Sequence, residues 1–364
     1  MKIVDLRERT VSIAAPMRNA AIAFGEMTAS AVAIVSDTGI TGYAFDSIGR
    51  YGKGALLRER FFPRVLGKSF DELIDPPAVA RAAMANEKSG GHGERPGAVA
   101  LLEAAAWDLR AKSQGVPLWR CMADYYRTKG SGTIDAYASC GHFRTDDVLT
   151  DEVRRAVDAG YRCVKIKVAG EVDADLKRLE RASAALPAGT QWAVDANGAA
   201  VSEGWFDAMS PFKLAWIEEP APPLDFELLE LYAEMAPAPL ATGENLFSYD
   251  DARNLLRYGD LHRDRDLLQF DPLLSYGVAE YVRILELFGD WPRRQFMPHA
   301  GHLFAAHCVA GLGLGMAEAA PDATLPYGGY WDGVRIDAGR LKIPDLPGVG
   351  FEAKANLFAV LENT

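Results

Sequence analysis

From about residue 134 the sequence alternates between short apolar runs of strand character and longer stretches of helical spacing. The apolar runs fall at 134–139 (IDAYAS), 163–168 (CVKIKV), 191–195 (QWAVD), 214–218 (LAWIE), 239–243 (PLATG), 267–271 (LLQFD), 295–298 (QFMP) and 314–318 (LGMAE). Between them lie amphipathic stretches such as TDDVLTDEVRRAVDAG, DADLKRLERASAAL and VAEYVRILELFG. Parallel strands need a crossover of a dozen or more residues, which a helix supplies. Eight such repeats therefore predict an α/β fold built on a (β/α)8 TIM barrel. A doubly wound open sheet is the competing reading. Its phosphate loop is not evident, because the glycines of GLGLG (311–315) follow a helical stretch and lack the G-x-G-x-x-G spacing.

The first 125 residues have a different texture. Strand-like MKIVDLRERTVSI and ASAVAIVSDTGITGYAF predict an antiparallel hairpin or meander, and LLRERFFPRVLG, DPPAVARAAMANEK and PGAVALLEAAAWDLRAKSQG predict helices, the last ending in glycine. Strands followed by helices indicate an α+β unit. The expected division is an α+β capping domain at 1–125, completed by a tail at 330–364 that reads as strand, turn and loop, around a barrel at 126–329.

Hydrophobic residues at 49 % and charged residues at 24 % describe an ordinary globular chain. A formal charge of −11 argues against a nucleic-acid or anionic-membrane surface, both of which favour basic patches. The charged opening MKIVDLRERTVSIAAP does not read as a secretion signal, so a cytoplasmic protein is expected. Cys121, Cys140, Cys163 and Cys308 lack CxxC pairing and are expected to be buried free thiols.

Within CVKIKV, Lys165 and Lys167 stand two apart and point to one face of the strand. Alone, the pair is best read as a solvated strand face. The polar residues at the ends of the later strands alter that reading. Asp195, Glu218, Glu244, Asp271, His299 and Glu318 follow Lys167 at steps of 28, 23, 26, 27, 28 and 19 residues, most of them one β/α repeat, so they are expected to share the carboxyl rim of the barrel.

Each acid has a structural alternative by itself: an Asx turn for Asp195, an arginine pair for Glu218, a helix cap for Glu244. Jointly, three carboxylates from adjacent strands repel unless a cation joins them, and an all-oxygen donor set selects a hard ion such as Mg²⁺. Lys167 is then a base candidate whose pKa Lys165 would lower, and His299 with Asp271 forms a dyad. The five-residue step from His302 to His307 does not match a zinc motif, which leaves both to support neighbouring site residues or to pack helices.

The K-x-K strand, D-x-N, E-E-P, G-E-N, the later aspartate and the P-H strand end resemble the enolase superfamily, mandelate racemase subgroup, over the whole chain. RNAAIAFGEMTAS, GRYGKG, NEKSGGHGER, ATGENLFS with DARNLLRYG, LQFDPLLSYG and LPYGGYWDGVR with PDLPGVGFE are most similar to the D-tartrate dehydratases. The resemblance implies a barrel modified to (β/α)7β, Mg²⁺ on Asp195, Glu218 and Glu244, Lys167 as α-proton base tuned by Lys165, and His299 with Asp271 as general acid. It further implies substrate contacts at Lys88, Glu318, Asn197 and Asn19.

One departure is evident in Phe45-Asp46-Ser47-Ile48-Gly49-Arg50, where the tartrate enzymes carry F-N-S-N-G-R, and the first strand end, Ser139-Cys140-Gly141-His142, also differs. The expected activity is β-elimination of water from an acid sugar or dihydroxy acid to give a 2-keto acid. A 2-hydroxy-acid racemase or epimerase on the same scaffold is the alternative, and a non-catalytic binding or scaffold protein that keeps only the barrel's shape is a third reading, set against the filled site positions. The expected partners are a small-molecule carboxylate and other copies of the chain, with no nucleic acid and no membrane.

Overall fold

The computed structural model describes residues 1–15, 17–71, 73–88, 93–143, 148–320 and 327–364. The amino-terminal meander forms as expected: β1 (Ile3–Ser12), β2 (Thr28–Ser36) and β3 (Thr41–Phe45) pair antiparallel in the order β1-β2-β3. The helix Arg95–Gln114 packs against β2 and β3 and stops where Gly115 turns left-handed at φ 67°.

The second half supplies a larger sheet. In it β4 (Thr133–Cys140), β5 (Cys163–Lys167), β6 (Gln191–Asp195), β7 (Ile217–Glu218), β8 (Leu240–Thr242) and β9 (Leu267–Leu268) pair in parallel, each with the next, and β10 (Met316–Ala319) pairs in parallel with β4. The strand expected at 295–298 is reduced to a parallel bridge between Leu268 and Phe296. Arg293–Gln295 forms a 3-10 turn, and Pro298 has no N–H with which to lengthen a ladder. The hydrogen bonds continue through this position all the same, with Met297 N donating to Leu268 O at 2.9 Å and Gly315 N to Phe296 O at 2.9 Å.

Side-chain parity explains the lysine pair. Val164, Ile166 and Val168 join the large apolar cluster, and Cys163 alternates with them, packing in a separate small cluster with Tyr137, Ala193, Trp216, Ala241 and Met297. Burying each Val or Ile stabilises by about 1.5–3 kcal/mol, which fixes the face and leaves Lys165 and Lys167 on the other one. Both lysines are buried, so the reading of a solvated strand face is wrong.

The tail divides between the two sheets, contrary to the expectation that all of it joins the amino-terminal unit. β11 (Ile336–Asp337) and β12 (Arg340–Lys342) form a hairpin through Ala338 and Gly339, both at positive φ, and β12 pairs antiparallel with β4. The last helix, Ala355–Glu362, unforeseen in the sequence, packs on β2 and β3. All four cysteines are free and buried. Among the described residues no helix is long and apolar enough to cross a membrane.

The helix Arg95–Gln114 joins these parts through two buried acids. Asp108 accepts from Tyr43 N at 2.8 Å and from Val349 N at 2.7 Å. Glu103 accepts from Ala279 N at 3.2 Å, beside Gly277, whose φ is 100° and where any Cβ would overlap the Glu103 carboxylate. Burial pushes Glu103 up from 4.5 to about 8. The folded state therefore keeps a proton that the unfolded chain has released, and this contribution weakens as pH rises from 4.5 to 8 at up to about 1.4 kcal/mol per unit. Glu103→Gln is expected to gain stability relative to wild type between pH 5 and pH 9, as read by urea unfolding at both values.

Candidate active site

Strand register sets the site. Lys167 on β5 faces Asp195 on β6, and Asp195 faces Glu218 on β7, so one row across three strands carries an amine and two carboxylates. Glu244 follows β8. Asp195, Glu218 and Glu244 each offer an oxygen, and these lie within 4.8 Å of one another. All three side chains are buried. Among the described residues Glu244 Oε2 has no hydrogen-bond partner, and neither does the nearby Asn197 Oδ1, so acceptors converge where a cation would satisfy them. Oxygen-only donors fit a hard divalent ion.

The structural alternatives resolve residue by residue. Asp195 does make an Asx turn, its Oδ1 accepting from Asn197 N at 2.9 Å, while its Oδ2 turns to Lys167 and to Lys165 at 3.3 Å. Among the described residues Glu218 is held by Lys165, by Trp216 Nε1 at 3.1 Å and by Gln269 Nε2 at 2.7 Å, none of them an arginine. Lys165 also reaches Glu318 Oε1 at 3.0 Å. Burial works against its charge, but Glu218 and Glu318 outweigh burial and raise its pKa well above the ordinary value.

Lys167 departs from expectation. Burial lowers its pKa and Lys165 does too, but the carboxylates of Asp195, Glu218 and Glu244 together outweigh them and the net direction is upward. The lysine pair alone does not make Lys167 a neutral base.

At the other end of the triad His299 Nε2 lies 3.5 Å from Glu244 Oε1, and its Nδ1 is 3.1 Å from Asp271 Oδ2. Burial depresses His299, yet Glu244 and Asp271 raise it overall. The next residue, Ala300, holds a strained φ of 91° and donates its N–H to Glu318 Oε2 at 2.9 Å. His302 caps the following helix, with Ala305 N donating to its Nδ1 at 2.9 Å, and buried His307 accepts from Trp119 N at 3.1 Å. Both have packing and capping roles.

Lys167, Glu244, His299, Glu318, Asn197 and Asn19 line one cavity with Ile48, Arg50 and Ser139. The oxygens of Glu318 already bond Lys165 and Ala300. Asn19 Oδ1 accepts from Ala21 N and Ile22 N, both at 2.8 Å. Lys88 is not brought to this cavity. It is exposed, its carbonyl accepts from Arg95 at 2.9 Å, and residues 89–92 of its loop lie outside the described residues.

His142, noted in the sequence only as part of a differing strand end and given no role there, lines the cavity edge-on to Phe24 at 5.7 Å, and burial pushes its pKa down to about 3. Its place two residues past β4 was the available signal. Ser47 and Asn245 stand in the quoted motifs without an expected role; Ser47 donates to Asp271 and Asn245 to Glu219 Oε1 at 2.8 Å.

The family model described as Enolase C-terminal domain-like matches residues 148–357, more than half of the chain. The chain belongs to the enolase superfamily. Among curated relatives in it, the o-succinylbenzoate synthase of Geobacillus kaustophilus is 30% identical over 272 residues, covering 70% of this chain and 67% of that protein. The L-talarate/galactarate dehydratase of Salmonella typhimurium is 30% identical over 227 residues, 58% of this chain and 53% of that protein.

The solved structure of an enolase-superfamily member from Polaromonas sp. JS666 superposes with a TM-score of 0.82 at 21% identity, covering 99% of this chain and 97% of that one. The L-talarate dehydratase of the same organism, complexed with Mg and L-glucarate, superposes with a TM-score of 0.73 at 23% identity, covering 95% and 94%. These two likenesses establish the superfamily fold.

The buried charges make Lys165 the group whose loss leaves most behind. Lys165→Met strands Glu218 and Glu318 without their cation, which costs about 3–5 kcal/mol for a buried pair broken on one side. A lowered urea midpoint in the presence of chelator is the expected result.

Proposed function

We propose that this chain is a Mg²⁺-dependent dehydratase of acid sugars or related dihydroxy acids, with D-tartrate-like acids the first class to test. In this reading the parallel strands close into a (β/α)7β barrel at 126–329, supported by the hydrogen bonds from Leu268 through Phe296 to Gly315 and by the return of β10 to β4. Residues 1–125 cap it, together with the end of the tail. The observation that carries the functional reading is the placing of Lys167 and His299. One is paired with Asp195 at one end of the carboxylate cluster, and the other lies against Glu244 at the opposite end.

Asp195, Glu218 and Glu244 would hold the Mg²⁺, and Asn197 Oδ1 lies ready beside them. A bound Mg²⁺ supplies positive charge that binds the substrate carboxylate and disperses the negative charge created when the α-proton leaves. Lys167 Nζ takes that proton once the charge on Asp195, which now raises it, is shared elsewhere. Lys165 stays cationic among its carboxylates and keeps a fixed positive charge behind the reacting carbon. Asp271 fixes His299 through Nδ1, so that Nε2 faces the cavity and delivers its proton to the departing 3-hydroxyl. Water leaves, and the resulting enol tautomerises to a 2-keto acid. Ile48 stands in the cavity wall where an amide would bond a polar substrate end, which favours an acid whose distal end is less polar than that of tartrate.

The test is a screen of acid sugars and dihydroxy diacids with a keto-acid readout, starting with the tartrate isomers and with Ile48→Asn alongside. Lys167→Ala is expected to lose at least about a hundredfold in kcat, the scale of general-base catalysis. Unchanged activity in that variant, or solvent deuterium exchange at the α-carbon with no keto acid, would overturn the dehydratase reading. Glu244→Gln is expected to weaken Mg²⁺ binding by at least about tenfold, about 1.4 kcal/mol, in a calorimetric titration.

A further inference from the structure

The segment 45–50 runs from the end of β3 to the edge of the cavity. Asp46 anchors it: its Oδ1 meets Lys53 Nζ at 2.6 Å and its Oδ2 accepts from Ser30 N at 3.2 Å, all of it buried. Lys53 N in turn donates to Ser30 Oγ at 2.8 Å. The Lys53 side chain lies across Gly97, where a Cβ would overlap it, so the ion pair is seated between the sheet and the helix Arg95–Gln114. Farther along, Arg50 is bonded to Asn245.

Between these two anchors Ser47, which is fully buried, donates its hydroxyl to Asp271 Oδ2 at 2.6 Å. His299 Nδ1 lies 3.1 Å from the same oxygen. The second oxygen, Oδ1, accepts from Leu273 N at 2.7 Å and has His302 Nε2 at 3.5 Å. Leu273 N holds Oδ1 only, and a carboxylate held at one oxygen can turn about its Cβ–Cγ bond toward His302. The Ser47 hydroxyl holds Oδ2 and so sets the plane in which His299 meets it.

We propose that Ser47 is a positioning residue for the Asp271–His299 dyad, so that the seating of segment 45–50 and the orientation of the His299 imidazole are one event. The consequence for catalysis rests on the reading of His299 as proton donor; the geometric claim does not. The same segment puts Ile48 into the cavity wall one residue later. A substrate that displaces or fails to seat this segment therefore meets an imidazole without its fixed orientation, and selection of the substrate is tied to readiness of the acid.

The test compares wild type, Ser47→Ala and Ser47→Thr, each at saturating Mg²⁺ and again in chelator. The first readout is the Nδ1–H proton resonance of His299 in histidine-labelled protein, assigned by its loss in His299→Asn. The expected result is an upfield shift with faster exchange against water in Ser47→Ala and recovery in Ser47→Thr. The second is a kcat lower by about ten- to a hundredfold in Ser47→Ala with KM changed less than about twofold, on whichever acid the wild type dehydrates. An unmoved His299 resonance in folded Ser47→Ala overturns the proposal, as does a loss expressed only in KM. A moved resonance in a protein that dehydrates no acid tested supports the positioning role while the dehydratase reading falls.

Discussion

The structure depends on a cluster of buried charge that no single pair explains. Lys165 lies among Glu218, Glu318 and Asp195 with almost no access to water, and Lys167 is tied to Asp195 one step nearer the cavity. Taking these groups out of water costs several kcal/mol each, repaid only when every charge meets an opposite one. The register of β5, β6 and β7 provides that match, because residues facing one another across parallel strands point into the same space. A slip of one residue would turn the lysines outward and bury valine and isoleucine against carboxylates.

The rest of the fold keeps that register. Apolar side chains on the opposite face of each strand set the parity, and the helix Arg95–Gln114 carries the load of joining the two sheets. Its Asp108 reaches β3 and the tail, and its Glu103 caps a helix of the larger sheet. Both acids are costly to bury, and both are spent on backbone N–H groups that would otherwise lack partners. The two halves of the chain are therefore joined by hydrogen bonds as directional as those within either sheet.

Much of this was legible in the sequence. The period of strand and helix located the parallel strands, since helical crossovers and apolar runs leave local signatures, and the spacing of Asp195, Glu218 and Glu244 brought them to one place for the same reason. The proton affinity of Lys167 was not legible. It is decided by burial set against the carboxylates of Asp195, Glu218 and Glu244, and the lysine two residues away in sequence counts for less than the carboxylate in contact. The bond from Ser47 to Asp271, the arrival of His142 in the cavity and the distance of Lys88 from it depend on how loops lie over the strand ends, for which no periodicity exists. The tail read as strand, turn and loop, and the turn at Ala338 and Gly339 forms; its pairing with β4 was not legible, because a hairpin's own sequence does not say which sheet edge it joins.

Asp195 spends its two oxygens on different tasks, one on the amide of Asn197 and the other on the charged centre. A longer acid would keep the charge but place its carboxylate too far from that amide to close the turn, and Asn197, held at φ 50°, would lose the contact that keeps it in the left-handed region. Aspartate and glutamate are thus not interchangeable at this one corner of the triad, although either can bind a hard cation. The requirement comes from the loop's geometry rather than from the metal.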